Sequence, residues 1–202
     1  MKNLFFDYFY IFFNPFKIHD LYRTGEKRPL RFVEVMGISW IFKILKTFYF
    51  FVGLHFMFWV VRNHTNSTAL KKISEGKAAL YWILVGVIFY PLVLWLLAKF
   101  WAVLLRFFCL LYDKDDLSEG TLQDRVHRVC YSALSSQACQ AVPVIGEVFV
   151  PICFLFFLFA GMRSGLRFTV LQALLVIIAP IFLFFLMMTL GFAYVLLLLN
   201  MS

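Results

Sequence analysis

Residues 141–167, AVPVIGEVFVPICFLFFLFAGMRSGLR, predict a membrane-spanning helix with a marked start and a marked end. Pro143 suits the first turn of a helix, because that turn does not need the N–H that proline lacks. Gly161 and Gly165 suit its end, beside two arginines that are excluded from hydrocarbon. From residue 143 to residue 162, at ~1.5 Å per residue, this helix would span roughly 30 Å, the thickness of a bilayer core.

The composition of the whole chain indicates a multi-pass membrane protein. Of its 202 residues, 63% are hydrophobic and 15% are charged, and the mean hydropathy is +0.85, which exceeds that of soluble domains. The net charge of +8 comes from short basic clusters between apolar runs, as in cytoplasmic loops, so we expect no nucleic-acid partner. The four cysteines lack metal-ligand spacing, and no sequence motif of a hydrolase, a metalloprotease or a P-loop enzyme occurs. We therefore expect no enzyme activity, no metal and no cofactor.

The apolar runs predict an all-α integral membrane bundle of about five spans. An N-terminal segment, 1–36, precedes a transmembrane domain, 37–202. The predicted spans are 37–61, 78–98, 126–141, 143–162 and 168–190.

The third span is the least apolar, but Ala133 and Ser136 are small residues that let helices approach closely inside a membrane. A re-entrant segment or a surface helix is the alternative for residues 126–141. Gly161 and Gly165, four residues apart, predict a second close-approach surface.

The N-terminal segment predicts an interfacial amphipathic helix over residues 4–13, stopped before Pro15. The alternative is a helix packed on the first span. A basic collar follows and is expected to face the cytoplasm, where it would contact protein partners or anionic lipid. Its members are Arg23, Lys27, Arg28 and Arg31.

Prolines and glycines mark the expected bends in the other spans. Pro91 predicts a kink in the second span. Residues 168–199 would reach roughly 48 Å as one helix, too long for a perpendicular span, so we expect bends at Pro180 and Gly191 and an interfacial remnant beyond Gly191. With five spans and a cytoplasmic N-terminus, 12 Lys and Arg residues lie inside and 4 outside, whereas without the third crossing the division is 10 to 6.

A few polar groups fall inside the predicted spans. His55 should face another helix, and Glu147 should be stabilised by the helix dipole near the outer surface. Lys43 and Lys46 can extend to the inner surface. This arrangement places no ionisable side chain at the membrane centre, so a proton relay would be interrupted there. Gln137 and Gln172 complete the polar groups that a transport path could use.

Residues 14–190 contain, in this order, Asn14-Pro15-Phe16, the basic segment, the small-residue span and the Val142-Pro143-Val144-Ile145-Gly146 hairpin before a helix that ends at Gly161. In this order of motifs the chain resembles the Yip family of Ypt/Rab-interacting membrane proteins, in particular its short bacterial branch. The resemblance implies five spans and, for the eukaryotic relatives, association with prenylated small GTPases. The Asp-Leu-Tyr-Gly-Pro motif of those relatives is incomplete here, since Arg23 and Thr24 follow Tyr22.

These observations predict a membrane adaptor or organising protein whose partners are the lipid bilayer and other membrane proteins, with a homo-oligomer as an open alternative. A small GTPase is a partner only if the eukaryotic role carries over. The alternative function is a small-solute or ion transporter or channel subunit. The expected location is the bacterial inner membrane, with the endoplasmic reticulum or Golgi membrane as the alternative.

Overall fold

A computed structural model describes residues 2–64, 84–114, 121–143 and 145–201. All regular secondary structure in these residues is helical: α1 (Lys2–Phe13), α2 (Lys17–Thr24), α3 (Phe32–His64), α4 (Tyr90–Leu111), α5 (Leu122–Ala133), a 3₁₀ helix (Leu134–Ala141), α6 (Gly146–Ser164) and α7 (Val170–Met201). A short helical segment, 84–88, precedes α4. The predicted all-α helical bundle is therefore confirmed.

Within the described residues, four helices are long and apolar enough to cross a membrane. They are Phe32–Met57, Tyr90–Leu111, Gly146–Ser164 and Val170–Phe192. The length and apolar composition of these helices support the predicted location in a membrane. Residues 65–77, between the first two predicted spans, and residues 78–83 of the predicted second span lie outside the described residues.

Residues of α5 and the 3₁₀ helix form one continuous path that is antiparallel to α6. A Cβ atom on Gly161 would lie 2.6 Å from Val129 of α5, and one on Gly146 would lie 2.0 Å from the carbonyl oxygen of Cys139 in the 3₁₀ helix. At ~1.5 Å per α-helical and ~2.0 Å per 3₁₀ residue, the path extends roughly 34 Å. Most of its residues are buried against α3, α4 and α6. Residues 126–141 therefore lie inside the bundle, and their crossing of the membrane stays a prediction.

Polar loops gather at one end of the bundle, which we call the basic end. At this end α4 and α6 terminate, and α5 and α7 begin. Two contacts show this: the rings of Tyr112 and Phe168 lie 5.7 Å apart, and the start of α5 lies beside Ser164. Helix α2 packs against the same end of α6. The turn at residues 142–146 lies at the other end, which we call the far end.

Helix α1 packs on the bundle through one face. Tyr8 and Ile11 are 0% and 1% exposed, and the Tyr8 hydroxyl lies 3.1 Å from Ser39 Oγ of α3. Phe6 and Phe13 are exposed on the opposite face. The structure therefore shows the packed alternative for this segment, with phenylalanines left on its outer face.

Pro91 opens α4 and does not kink its middle, and the second apolar helix ends at Leu111, about three and a half turns beyond the predicted end at residue 98. Proline has no N–H, so the carbonyl oxygen of Val87, four residues earlier, loses its helical donor. The indole N–H of Trp40 on α3 donates to that oxygen at 2.9 Å. The hydrogen bond that Pro91 cannot make within its own helix is thus made by a side chain of another helix.

Two further predicted boundaries differ from the structure. Helix α6 begins at Gly146 and not at Pro143, because proline holds the preceding Val142 in an extended conformation, with ψ of 115°, and a turn follows. Helix α7 continues as one element to Met201, through Pro180 and Gly191, so no separate remnant follows Gly191.

Candidate functional site

Seven residues from three segments, α2, α5 and the end of α6, line a small pocket at the basic end, which we call the basic pocket. They are His19, Tyr22, Arg23, Arg125, Arg128, Ser164 and Gly165. The cavity measures about 20 Å³, little more than the space of one water molecule. Three arginine residues therefore line a space suited to one compact group.

The glycines of α6 allow the other segments to approach this pocket. The Cβ position of Gly161 lies 3.1 Å from His19 Nε2, and that of Gly165 lies 3.0 Å from His19 Nδ1 and 3.1 Å from Val129 Cγ2. A larger residue at either position would separate α6 from α2 and α5. Ala133 and Ser136, the other predicted packing residues, are both fully buried, in α5 and the 3₁₀ helix.

His19 is buried and bonded to the bundle. Ser132 Oγ donates to the carbonyl oxygen of Val129 at 2.8 Å, so its single proton is used, and its contact with His19 Nε2 at 3.2 Å is best assigned as Nε2–H donating to the hydroxyl. Burial and the nearby Arg128 lower the pKa of His19 to about 4. His19 is therefore neutral at pH 7, and Nδ1 is its acceptor atom.

Arg125 is the most unusual residue of the pocket. It is 5% exposed, and its Nε and Nη2 atoms are buried without a hydrogen-bond partner in the described part of the chain. Arg128 donates from Nε to the carbonyl oxygen of Asp124 at 3.4 Å. Arg23 forms an exposed ion pair with Asp20 at 3.4 Å. Arg125 thus carries a buried charge, and its Nε and Nη2 groups have no acceptor among the described residues.

The predicted basic collar is largely neutralised by acidic residues of the chain itself. Besides the pair of Arg23 with Asp20, Lys27 Nζ lies 2.9 Å from Asp7 and Arg28 Nη2 lies 2.5 Å from Glu34. Lys27 also lies over the Tyr10 ring, 3.8 Å from its centroid. These contacts tie α1, the loop before α3 and the start of α3 together. Arg31 supplies a backbone N–H to Glu34 at 2.7 Å.

A second polar cluster lies towards the far end of the bundle. The Tyr90 hydroxyl donates to Gln137 Oε1 at 2.7 Å, and Gln140 Nε2 donates to the Tyr90 hydroxyl at 2.9 Å. Lys43 Nζ lies 5.4 Å from the centroid of the Tyr90 ring. These contacts join α3, α4 and the 3₁₀ helix, and they explain how two glutamines are accommodated inside an apolar bundle.

Glu147 forms an ion pair with Lys46 of α3. The expectation that Lys46 extends to the inner surface is therefore wrong: Lys46 lies 14 residues, roughly 21 Å, beyond the start of α3, at the level of the first turn of α6. The pair borders a cavity of about 410 Å³ whose other walls come from α3 and the turn before α6. Its lining is Lys46, Tyr49, Phe50, Gly53, Leu54, Met57, Val142, Pro143 and Glu147.

The remaining polar candidates lie elsewhere. His55 is exposed on the outer part of α3, beyond the residues of that helix that join the core, so the expected contact with another helix is not seen among the described residues. Gln172 belongs to a capping box at the start of α7, where its Oε1 accepts from Thr169 N at 2.9 Å and its own N–H donates to Thr169 Oγ1 at 3.3 Å. Neither residue joins His19 or Glu147.

Sequence reasoning did not identify the basic pocket. A signal was present in Arg125 and Arg128, which lie three residues apart at the start of the least apolar predicted span, 126–141, with Arg125 directly before it. The contribution of His19 and Tyr22 had no such signal, because these residues are more than 100 positions away along the chain. Within the described residues, no group of three or more His, Cys, Asp and Glu side chains could hold a metal ion.

No family model, no curated protein and no solved structure matches this chain. The resemblance to the Yip family therefore rests on the sequence pattern alone.

Proposed function

We propose that this chain is a non-enzymatic integral membrane adaptor or organising protein of Yip-like type, with five spans and a cytoplasmic basic end. The observation that supports an organising role is the packed interior between the two polar clusters. Leu134, Leu158 and Leu105, from three different segments, are all fully buried there, together with Phe154. A filled apolar layer suits a protein that acts through its surfaces.

The five-span topology gains support from the path of α5 and the 3₁₀ helix. This path extends along the whole of α6, and polar side chains at its far end are bonded inside the bundle. A reporter fused after Ser202 should then be active only outside the cytoplasm. Activity confined to the cytoplasm would contradict five spans. The bacterial inner membrane is the proposed location.

Cross-linking in native membranes tests the organising role. Replacing the four collar residues, Arg23, Lys27, Arg28 and Arg31, by Gln should weaken cross-links to partners at the basic end. Because Lys27 is paired with Asp7, Asp7→Asn is the matched control: it breaks an internal contact and leaves the collar cations in place. Equal loss of cross-links in Asp7→Asn and in the fourfold variant would assign the effect to folding and reject a collar role.

Transport of an ion or small solute is the second candidate, and the Lys46–Glu147 pair beside the 410 Å³ cavity favours it. Buried Ser132, Ser135 and Ser136 also lie between the two polar clusters, although Ser135 Oγ donates to the Ser132 carbonyl oxygen at 2.6 Å. Flux in proteoliposomes that disappears in Glu147→Gln would favour transport. Under the organising role, Glu147→Gln and His55→Ala leave the cellular phenotype intact, apart from a loss of stability.

A further inference from the structure

We propose that the basic pocket binds a phosphate group, held by Arg125 and Arg128 with Arg23 at its more exposed side. This site is independent of which protein partner the chain has. It depends on charges that the described fold brings together and leaves without an acceptor.

The first argument is the state of Arg125. A guanidinium group stays charged at all ordinary pH values, and a buried charge without a partner is strongly unfavourable. The two N–H groups without an acceptor, on Nε and Nη2, lie on one edge of the guanidinium plane. That edge matches two oxygen atoms of a phosphate or a carboxylate, which it can bind in a bidentate manner.

The second argument concerns the number and sign of the neighbouring charges. Arg128 and Arg23 line the same pocket, and none of the described residues that line it is acidic. Asp20 neutralises part of Arg23 from outside the pocket. Three arginines that line one space favour a phosphate group, with its three or more oxygens, over a single carboxylate.

The third argument is the size and position of the pocket. A cavity of about 20 Å³ admits only the compact charged part of a ligand, so the organic part must lie outside. Arg163, in the last turn of α6, and Arg167, shortly after the helix, lie at the same end of the bundle. If that end faces the cytoplasm, the pocket lies at the level of lipid headgroups. Two sources of phosphate therefore fit: the headgroup of an anionic phospholipid and a soluble phosphate compound.

The test uses the full chain in a neutral maltoside detergent, which contains no phosphate. Thermal unfolding is measured with added inorganic phosphate and, separately, with added phosphatidylglycerol, and retained lipid is counted by native mass spectrometry. One of the two probes should raise the Tm of the wild-type chain. Stabilisation by inorganic phosphate indicates a soluble ligand, and stabilisation by phosphatidylglycerol alone indicates a lipid headgroup.

Variants assign the effect to the pocket. Arg125→Gln should lower the affinity for the probe at least about tenfold, equivalent to about 1.4 kcal/mol. The affinity of Arg125→Lys should lie between those of the wild type and Arg125→Gln, because lysine keeps the charge and loses the paired N–H edge. Arg106→Gln removes the same charge from an exposed position of α4 and should behave as wild type. If Arg125→Gln does not fold, Arg128→Gln is the variant to test, because Arg128 is only partly buried. Equal shifts of Tm in the wild type and the pocket variants, or no shift with either probe, would overturn the proposal.

Discussion

The hydrogen bond from Trp40 of α3 to the carbonyl oxygen of Val87 replaces the bond that Pro91 cannot donate. We expect this bond to stabilise the packing of α3 against the start of α4. Helical hydrogen bonds flank Pro91, since Phe89 N donates to Val85 O at 2.9 Å and Val93 N donates to Phe89 O at 3.1 Å. Pro91 has no N–H to donate to the Val87 oxygen, and Trp40 Nε1 donates to it instead. In hydrocarbon no water is present to substitute for the indole.

Trp40→Phe keeps an aromatic ring and removes the donor. We expect the free energy of unfolding to fall by about 1 kcal/mol, with about 2 kcal/mol as the ceiling, because side-chain hydrogen bonds inside membranes contribute amounts of this order. Pro91→Ala supplies the missing N–H. In that background Trp40→Phe should cost less, with a coupling energy of roughly 0.5–1.5 kcal/mol.

The measurement is reversible unfolding in mixed micelles with increasing SDS, followed by far-UV circular dichroism. Trp59→Phe is the control for loss of an indole from α3, since the Trp59 ring contacts Phe56 and is exposed. An equal cost of Trp40→Phe with Pro91 and with Ala at position 91 would refute the reasoning, because the indole bond would then not depend on the missing N–H.

Two further predictions concern the close contacts of α6 and the buried imidazole. Gly146→Ala should lower the free energy of unfolding by about 3 kcal/mol and Gly161→Ala by about 1–2 kcal/mol, because the new Cβ atoms would lie 2.0 Å from the Cys139 carbonyl oxygen and 2.6 Å from a Val129 methyl group. Gly37→Ala, with nothing within 4 Å, is the control, and equal stability of all three variants in the same assay would exclude tight packing. Burial lowers the pKa of His19 from 6.5 to about 4, so only the unfolded chain gains a proton between these pH values. Stability should therefore fall as the pH drops from 6.5 to 4, by up to about 1.4 kcal/mol per pH unit, and a slope unchanged in His19→Gln would contradict this assignment.

The helical class and most of the spans could be predicted because length and apolar composition alone decide whether a helix can cross hydrocarbon. Boundaries at prolines were less accurate. Pro91 and Pro143 each have two plausible positions relative to a helix, at its start or before it, and hydropathy does not distinguish them. The neighbouring side chains do, as the bond from Trp40 to Val87 shows.

The polar sites were less predictable for a different reason. Glu147 and Lys46 were expected near opposite surfaces, although they form an ion pair. Their relative height depends on how far α3 is displaced along its axis with respect to α6, and this displacement is set by packing between helices. The basic pocket has the same origin, since His19 and Arg125 meet only after α2 and α5 pack on α6.

The most apolar of the four apolar helices is also the one most exposed on the bundle surface. The window in Val170–Phe192 is the most apolar and only 11% buried, whereas the window in Gly146–Ser164 is less apolar and 39% buried. The physical reason is that a lipid-facing residue must be apolar, while an interior residue can be polar if another helix supplies its hydrogen bond. The 3₁₀ helix, Leu134–Ala141, is an example of such an interior segment. It carries Gln137 and Gln140, and both are buried and bonded to Tyr90. A segment of low hydropathy in such a chain is therefore a candidate for the centre of the bundle, and its polar side chains identify the helices that surround it.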